Sequence, residues 1–567
     1  MNRNNVNVGR TARLATVLLV FSCAAIGAEV TGTVKARNGR ALTGALVTLT
    51  QSDGLFVESV YAGAEGSFKL QTLQKGKSSL RARNPYFADV TVELELADTA
   101  KIRQDFKLSP LTNPAAIAET LSASAYFARI KFDKPIDKTW FQVECLTCHQ
   151  IGNAFTRAPR PHELWQQIST RMLGNYGITD KAWIDRYAGK LETTFNGKPL
   201  TLARQKPVVD KEALPARIIE WKLPDGVIAH DVEIHPADGK FYTVDQGTDR
   251  IYITDPIANT TETYDIPRGG IPQGGKFFRL TGNPIPLGLT VARGPHSLQE
   301  GPNGHFYTTD AISGQIGEFD PQLRTYVGHE VGGNSLYPHT DRFDRLGRLW
   351  FTLSFSNQVG MFDTRSGEMR VIDLPTETDR PANPALVPYG IDVNPVDGSV
   401  WYASLMANRI GRIDPESFKV ESFTPPTVGP RRMRFAADGM LWIPDFGLGR
   451  LVKLDTKTMK YTAYTIPPLA PGEVEAPYAL GVNPKTQEIW ITANMSDRIF
   501  RFLPKEERFI SYPLPTRGIY LRDMIFTPEG MVCSANSPLP AGAAEGGMQE
   551  VICLDPIGDL PLPKPAT

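Results

Sequence analysis

The sequence predicts a mostly β, multidomain protein with an N-terminal β-sandwich, a small all-α domain and a C-terminal seven-bladed β-propeller. Short runs of alternating apolar residues separated by Gly or Asn fill residues 29–108. Residues 112–212 change to helical periodicity. From 216 to 556 a unit of about 45 residues with four short strands recurs, as in propeller blades. The 49 Gly and 45 Pro in 567 residues suit such a turn-rich chain.

Composition excludes several functional classes. The 61 Lys and Arg balance 61 Asp and Glu, whereas a nucleic-acid binder needs a surplus of positive charge. With 41% apolar and 22% charged residues the chain is globular rather than disordered. Five cysteines are too few for a disulfide framework in a chain of this length.

The N-terminus predicts export. Three basic residues precede the apolar run LATVLLVFSCAAIGA: Arg3, Arg10 and Arg13. That order, ending in small residues, indicates a signal peptide over residues 1–28. A buried helix and a lipoprotein anchored through Cys23 are the alternatives. No later segment is apolar enough to cross a membrane, so we expect a periplasmic or secreted protein without a transmembrane segment.

Residues 29–108 carry the segments EVTGTVKARNGRALTGALVTLT and GSFKLQTL, whose apolar residues alternate between Gly turns. The order of these elements resembles the carboxypeptidase regulatory-like family, which folds as a transthyretin-like sandwich. The resemblance implies an accessory or docking module, with carbohydrate as its candidate ligand.

The most specific chemical motif is C-x-x-C-H at Cys145, Cys148 and His149. Two thiols at this spacing form thioethers with the haem vinyl groups, and the following imidazole binds the iron. A zinc site needs two more nearby ligands, and the sequence has no second C-x-x-C. The motif predicts one covalent haem c, and a redox or structural disulfide is the alternative.

The second axial ligand is expected on the next helix. PHELWQQISTRMLGNYG is amphipathic with Met172 near its end, and TDKAWIDRYAGKLETTF predicts a following helix capped by Thr179 or Asp180. This layout resembles small cytochrome c domains, in which a Met thioether completes the iron. The resemblance implies Met172 as sixth ligand, with His162 as the alternative. It also implies an electron-transfer partner, either a protein or a small redox carrier.

Seven copies of the repeat are marked by GKFYTVD, GHFYTTD, GRLWFTL, GSVWYAS, GMLWIPD, EIWITAN and GMVCSAN. ARIIEWKLP precedes the first copy and the last copy has no edge strand, so this segment is expected to close the ring as the outer strand of the last blade. A tail follows at 557–567. PHSLQEGPNG, PYGIDVNPVDG and MANRIGRIDP resemble the streptogramin (virginiamycin B) lyase family of propellers.

Alignment of the copies places seven residues at the start of the inner strands, on one face of the channel: His230, His296, His339, Tyr389, Arg431, Tyr478 and Arg522. The second strands end on the same face, with Asp245 and Asp310 in the first two blades. The candidate catalytic residues are His230, His296, His339, Asp245, Asp310 and Arg431. Imidazole and carboxylate suit a divalent metal such as Mg²⁺, or a base and its orienting partner. A solvated channel lining is the alternative.

The family resemblance implies two ring histidines and an acid in the last two blades, which hold a divalent metal for elimination. Tyr478, Arg522 and Asn536 occupy those positions here. A rotated set remains at His230, His296 and Asp310. Long Gly- and Pro-rich loops at 268–294 and 535–549 are expected on the same face.

Cys533 and Cys553 are expected to face each other on neighbouring strands of the last blade, which favours a disulfide outside the cytoplasm. The favoured hypothesis is an exported c-type haem protein that transfers electrons and binds a small-molecule ligand or a partner at the propeller face. The alternatives are a metal-dependent lyase or hydrolase, and a non-catalytic scaffold that binds carbohydrate or protein.

Overall fold

The computed structural model describes residues 27–174, 176–206, 209–282, 291–380, 385–538 and 548–565. The predicted signal peptide lies outside these ranges except for Gly27 and Ala28, as do 283–290 and 539–547 of the two long loops. Strands dominate the described residues, which contain six α-helices. None of those helices combines the length and apolarity needed to span a bilayer.

The N-terminal domain is a β-sandwich. One sheet has the order β4-β1-β7, with β8 also on β1, and the other contains β3-β2-β5-β6. Its strands are β1 (Ala28–Ala36), β2 (Leu46–Gln51), β3 (Phe56–Tyr61), β4 (Ser67–Thr72), β5 (Gly76–Arg83), β6 (Val90–Leu96), β7 (Lys101–Arg103) and β8 (Phe106–Leu108). Alternate residues of β1, such as Val30 and Val34, are fully buried between the sheets, as period-2 patterning predicts.

A helical segment follows the sandwich. Its helices are α1 (Pro114–Ala118), α2 (Ala123–Phe127), α3 (Pro135–Cys145), α4 (His162–Gly174) and α5 (Lys181–Thr194). Asp180 caps α5, because its side chain accepts the backbone N–H of Trp183 at 2.8 Å. Helices α3 and α5 meet at Phe141 and Tyr187, whose rings pack edge to face with centroids 4.7 Å apart. Helices α4 and α5 pack on each other, and the helical segment shares one apolar cluster with propeller residues such as Tyr478.

The propeller has seven blades among the described residues, as the repeats predict: six are separate four-stranded sheets, and the seventh belongs to a larger sheet. The first is β10 (Ala229–Ile234), β11 (Phe241–Asp245), β12 (Arg250–Asp255) and β13 (Thr260–Asp265), and helix α6 (Gly275–Thr281) lies in the loop after it. The second and third are β14 (Pro295–Glu300), β15 (Phe306–Asp310), β16 (Gln315–Asp320), β17 (Thr325–Glu330), and β18 (Pro338–Phe343), β19 (Arg348–Leu353), β20 (Gln358–Asp363), β21 (Met369–Asp373).

The remaining blades continue this order around the ring. The fourth and fifth are β22 (Pro388–Val393), β23 (Val400–Ser404), β24 (Arg409–Ile413), β25 (Val420–Phe423), and β26 (Arg434–Phe435), β27 (Met440–Asp445), β28 (Arg450–Asp455), β29 (Lys460–Thr465). The sixth is β30 (Pro477–Val482), β31 (Ile489–Ala493), β32 (Arg498–Leu503) and β33 (Arg508–Pro513). The seventh supplies β34 (Leu521–Phe526), β35 (Val532–Asn536) and β36 (Glu550–Asp555).

Strand β9 (Arg217–Lys222) closes the ring. It pairs antiparallel with β36 and completes the seventh blade, which confirms the expectation for ARIIEWKLP. Its other edge pairs with β3 of the sandwich, where Phe56 lies opposite Trp221. The seventh blade and one sandwich sheet therefore form a continuous eight-stranded sheet. This pairing satisfies the edges of both strands, which would otherwise present unpaired N–H and C=O groups.

The disulfide expected in the last blade is present. Cys533 and Cys553 lie directly opposite each other on β35 and β36 and are bonded through their sulfur atoms. Cys145 and Cys148, by contrast, are free thiols. The chain therefore holds two cysteine pairs in different chemical states.

Candidate functional site

The ring residues lie at β-bulges. In six blades the pairing of the inner strand shifts after its first residue, for example between Ala229 and Val232 and between Pro295 and Leu298. His230 and His296 occupy the bulged positions of those two blades. A bulge leaves its residue outside the ladder and redirects its side chain. Repetition of this bulge therefore turns one side chain per blade towards the channel.

Three of these side chains form a histidine stack, made of His230, His296 and His339. The ring centroids of His230 and His296 are 3.5 Å apart, and those of His296 and His339 are 4.0 Å apart. Burial is the main reason that the pKa of each imidazole lies well below its usual value. The stack is therefore neutral at physiological pH.

The three imidazoles differ in their hydrogen bonds. Nδ1 of His230 is 2.9 Å from Oδ1 of Asp231, and Nδ1 of His339 is 2.9 Å from the hydroxyl of Thr340. Nδ1 of His296 is buried and has no partner among the described residues. The middle ring of the stack therefore has one nitrogen without a hydrogen bond. A buried nitrogen in this state lowers the stability of the protein unless a ligand binds it.

Asp245 and Asp310 do not line the cavity that the histidines form. Asp245 accepts the backbone N–H groups of Ile228 and Gly247, at 2.9 and 2.8 Å. Asp310 binds the guanidinium of Arg293 at 3.1 Å and accepts the hydroxyl of Tyr326 at 2.7 Å. These carboxylate oxygens bind groups within their own blades and neighbouring loops. The sequence suggested that Asp245 and Asp310 would be partners of the ring histidines, and neither is.

The structure brings the three histidines together without a metal-binding set. Across the described ranges, no group of three or more His, Cys, Asp or Glu side chains is arranged to hold a metal ion. Asn536, at the strand end where the acid was sought, donates to Glu550 and accepts the backbone N–H of Tyr520. The described side chains therefore do not fit the expected divalent metal such as Mg²⁺.

The other half of the ring carries arginine and tyrosine. The hydroxyls of Tyr389 and Tyr478 are 2.7 Å apart, and Arg431 donates to Tyr389 at 2.6 Å. Arg431 also lies over both rings, 4.5 Å and 4.0 Å from their centroids. Arg522 donates to the hydroxyl of Tyr478 at 3.4 Å. These contacts give the second half of the ring a cationic and phenolic character.

The C-x-x-C-H segment covers this ring. Thr147 and Cys148 line the same cavity as the histidine stack, and the volume of that cavity is about 70 Å³. A wider cleft of about 400 Å³ shares Tyr176 and Phe355 with it and runs outward past α6. The sequence located the motif and the ring separately and left docking of the helical domain on the ring face as one possibility. The structure shows that the two line one cavity.

Hydrogen bonds hold the segment on the propeller. Tyr520 donates to the carbonyl of Leu146, and Nε2 of Gln150 binds Asp497 and the carbonyl of Ile519, each at 2.9 Å. Nε2 of Gln142 donates to the carbonyls of Phe446 and Glu475, at 2.6 and 3.1 Å. Because these groups are buried, the helices form a fixed cap over the channel mouth.

The residues of the motif fit a covalent haem. Both thiols are unbridged, as thioether formation requires. Nδ1 of His149 lies 3.0 Å from the carbonyl oxygen of Gln150, which leaves Nε2 without a hydrogen bond to any described residue. Burial lowers the pKa of His149 and keeps the ring neutral. A histidine that donates one nitrogen to a carbonyl and keeps the other free is prepared to bind a metal.

The two candidates for the second axial ligand, Met172 and His162, differ in the contacts of their side chains. Met172 lies half-buried in α4 and outside the apolar clusters of the described residues. His162, at the start of α4, has Nε2 2.8 Å from Asp185 and Nδ1 3.0 Å from Glu192. Both of its ring nitrogens are therefore occupied by carboxylates, which favours Met172.

Comparisons with known proteins agree with the two β domains. Residues 29–109 match the carboxypeptidase regulatory-like domain, and residues 285–467 match the virginiamycin B lyase family. The chain thus has a carboxypeptidase regulatory-like sandwich and a virginiamycin B lyase-like propeller. No curated protein matches it.

Two solved structures align with the propeller region. Virginiamycin B lyase from Staphylococcus aureus shares 19% identity over 60% of this chain and 99% of its own, with a TM-score of 0.47. A streptogramin B lyase shares 19% identity over 60% of this chain and 97% of its own, with a TM-score of 0.48.

Proposed function

We propose that this protein is an exported c-type haem protein that transfers electrons to or from a small molecule in the propeller cavity. Cys145 and Cys148 would hold the haem through thioethers, and Nε2 of His149 would bind its iron. When bound, the haem supplies one-electron transfer. The observation that carries the proposal is that Cys148 and the histidine stack line one cavity.

The protein's own residues suit a binding site next to a redox centre. The helical cap covers the channel mouth, and exclusion of water there would strengthen polar interactions with a ligand. The neutral histidines can each give or accept one hydrogen bond, and Arg431 and Arg522 add fixed positive charge beside them. These residues would bind and orient the ligand and would exchange a proton with it.

Three parts of the proposal rest on sequence patterns. Met172 is the proposed sixth ligand, which raises the potential and favours electron transfer. A signal peptide at residues 1–28 would direct the protein to the periplasm or outside the cell, where a partner protein or a small redox carrier would exchange electrons with it. The sandwich domain serves as an accessory module, with carbohydrate as its proposed ligand.

The match to the virginiamycin B lyase family favours a second candidate, a lyase or a non-catalytic binding scaffold. In a lyase without a metal, a neutral histidine of the stack would act as the base. The two candidates differ in one respect, since only the first needs the motif cysteines. Loss of both thiols would leave turnover or ligand binding of the second candidate intact.

The test is covalent haem in the purified, exported protein. We expect haem peroxidase staining to persist on a denaturing gel, because thioethers survive acid–organic extraction. Cys148→Ala should lose or weaken the stain. A Cys533→Ala and Cys553→Ala double variant is the matched control and should keep it. A colour that extracts like free haem would refute the c-type assignment.

A further inference from the structure

We infer that the cavity beneath the helical cap binds a small anion, a carboxylate or planar oxyanion, through Arg522, which lines it. Arg431, which binds the lining residue Tyr389, adds positive charge from behind the cavity wall. This names the ligand class of the cavity and rests on the proposed function only for the claim that the ligand is a redox substrate. Anion binding itself requires no haem.

The first observation is that two buried cations have no counter-ion. Arg431 is 0% exposed and Arg522 is 5% exposed. Neither forms an ion pair with any carboxylate of the described residues, whereas their neighbour Arg432 binds both oxygens of Asp231 at 2.8 Å. A buried, unpaired guanidinium is costly because it loses hydration without a compensating charge. An anion bound at Arg522 would offset that cost, and its charge would also compensate Arg431 behind the lining residue Tyr389.

The second observation is that the unsatisfied atoms of these two arginines are all hydrogen-bond donors. Nε and Nη1 of Arg431 and Nε of Arg522 are buried without a hydrogen-bond acceptor in the described part of the chain. Guanidinium nitrogens only donate, so the missing ligand must offer acceptor oxygens. Carboxylates and planar oxyanions match the fork geometry of arginine.

Other charged groups near the cavity do not supply the missing negative charge. The other aspartates of the inner strands are engaged elsewhere: Arg342 and Arg434 hold Asp523, the hydroxyl of Ser297 binds Asp341, and the backbone N–H of Phe435 binds Asp392. The histidine stack is neutral. Burial raises the pKa of Tyr478, but the charges of Arg522, Arg432 and Arg431 lower it by more, so the net pKa lies below its usual value. The phenol therefore lies in a strongly positive field. The cavity is therefore electropositive.

The size of the cavity limits the ligand. A cavity needs roughly 10–15 Å³ to hold one water molecule. The cavity of about 70 Å³ therefore has room for about five waters, or for a ligand with about as many non-hydrogen atoms. An acetate-sized group fits, and a longer molecule would extend into the cleft beside Tyr176. Two sources offer such a carboxylate: a free small anion, or an acid side chain of the attached haem.

Calorimetry on the full-length protein tests the inference, with acetate as probe and acetamide as its neutral isostere. We expect acetate to bind and acetamide to bind at least about tenfold more weakly, because charge-assisted hydrogen bonds to the arginines require a negative ligand. Arg522→Met should lower acetate affinity about 10- to 100-fold, and Arg522→Lys should lower it less. Arg370→Met is the matched control, because Arg370 lies exposed on β21.

A second protein form separates the two sources. The Cys145→Ala and Cys148→Ala double variant lacks the haem attachment points. Acetate binding to both forms indicates a free-anion site, and binding only to the double variant indicates that a haem carboxylate fills the site. Either result supports the inference.

Equal binding of acetate and acetamide, or no binding to either form, would overturn it. If Arg522→Met fails to fold, two other measurements decide: the acetate affinity of Arg522→Lys, and whether acetate raises the melting temperature of the wild-type protein more than acetamide does. The haem stain is scored separately. Acetate binding without haem would overturn the redox proposal alone, and haem without acetate binding in either form would overturn only the anion site.

Discussion

Arg431 donates a long hydrogen bond, 3.5 Å, to the carbonyl oxygen of Thr147, the residue before Cys148. This contact joins the ring position of the fifth blade to the loop between the two motif cysteines. The same guanidinium binds Tyr389 at 2.6 Å. One side chain therefore connects the C-x-x-C-H segment to the propeller channel through a few buried atoms.

The proposed sixth ligand can be tested by spectroscopy. Met172→Ala should abolish the long-wavelength charge-transfer band of the oxidised protein and lower its reduction potential, because the thioether stabilises the reduced iron. His162→Ala is the control and should leave the spectrum unchanged, since both its ring nitrogens bind carboxylates. The reverse pattern would establish bis-histidine ligation.

His296 and Asp310 should separate binding from structure. His296→Ala removes the unpartnered nitrogen beside the cavity, so we expect acetate affinity to change while the haem spectrum stays the same. Asp310→Asn weakens the contacts with Arg293 and Tyr326. It should cost about 1–3 kcal/mol of unfolding free energy in urea titrations without altering acetate affinity. Unchanged acetate affinity in both variants would leave the histidine stack as channel lining.

The junction between propeller and sandwich should be pH-sensitive through Glu220 on β9. Burial raises the pKa of Glu220 from 4.5 to about 7, and its carboxyl accepts the hydroxyl of Thr516 at 2.7 Å. Between these two pH values the native state binds more protons than the unfolded state, so stability falls as pH rises. The loss is complete above the folded pKa.

Glu220→Gln should remove this dependence. Relative to wild type, the variant should gain stability between about pH 5 and about pH 8, by at most about 3 kcal/mol. Urea midpoints at the two pH values measure the gain. Glu93→Gln, at an exposed position of β6, is the control and should show none. A constant difference between wild type and Glu220→Gln across this window would contradict the prediction.

Gln142 should be essential to the cap. Its amide donates to two buried propeller carbonyls, and its replacement by Ala leaves both without a donor. We expect Gln142→Ala to lower the unfolding free energy by about 1–3 kcal/mol and to increase protease sensitivity of the helical segment. Gln166→Ala removes a similar bond to Asp185 on the surface and should change little. If both substitutions change stability and protease sensitivity equally, the bonds of Gln142 do not hold the helical segment on the propeller.

Local patterns were sufficient for several features because each depends on residues close in sequence or on a repeat. Asp180 caps α5 as predicted, and the alternation in β1 matches its buried face. Repeat alignment predicted the residues near the start of the inner strand in six blades, whereas Arg431 of the fifth blade lies before β26. It also predicted the register of Cys533 with Cys553. It failed for Asp245, because a carboxylate at a strand end can bind backbone N–H groups instead of facing the channel.

By itself, the sequence determined the order of the elements, the seven blades, the closing role of β9 and the C-x-x-C-H motif, since periodicity and spacing encode them directly. Only the tertiary structure decided that β9 also pairs with β3 and that Cys148 faces the histidine stack. Such contacts join residues far apart in the chain, and they depend on which edges and faces remain unpaired after each domain forms. No local pattern records that choice, because it is made by complementary surfaces in three dimensions.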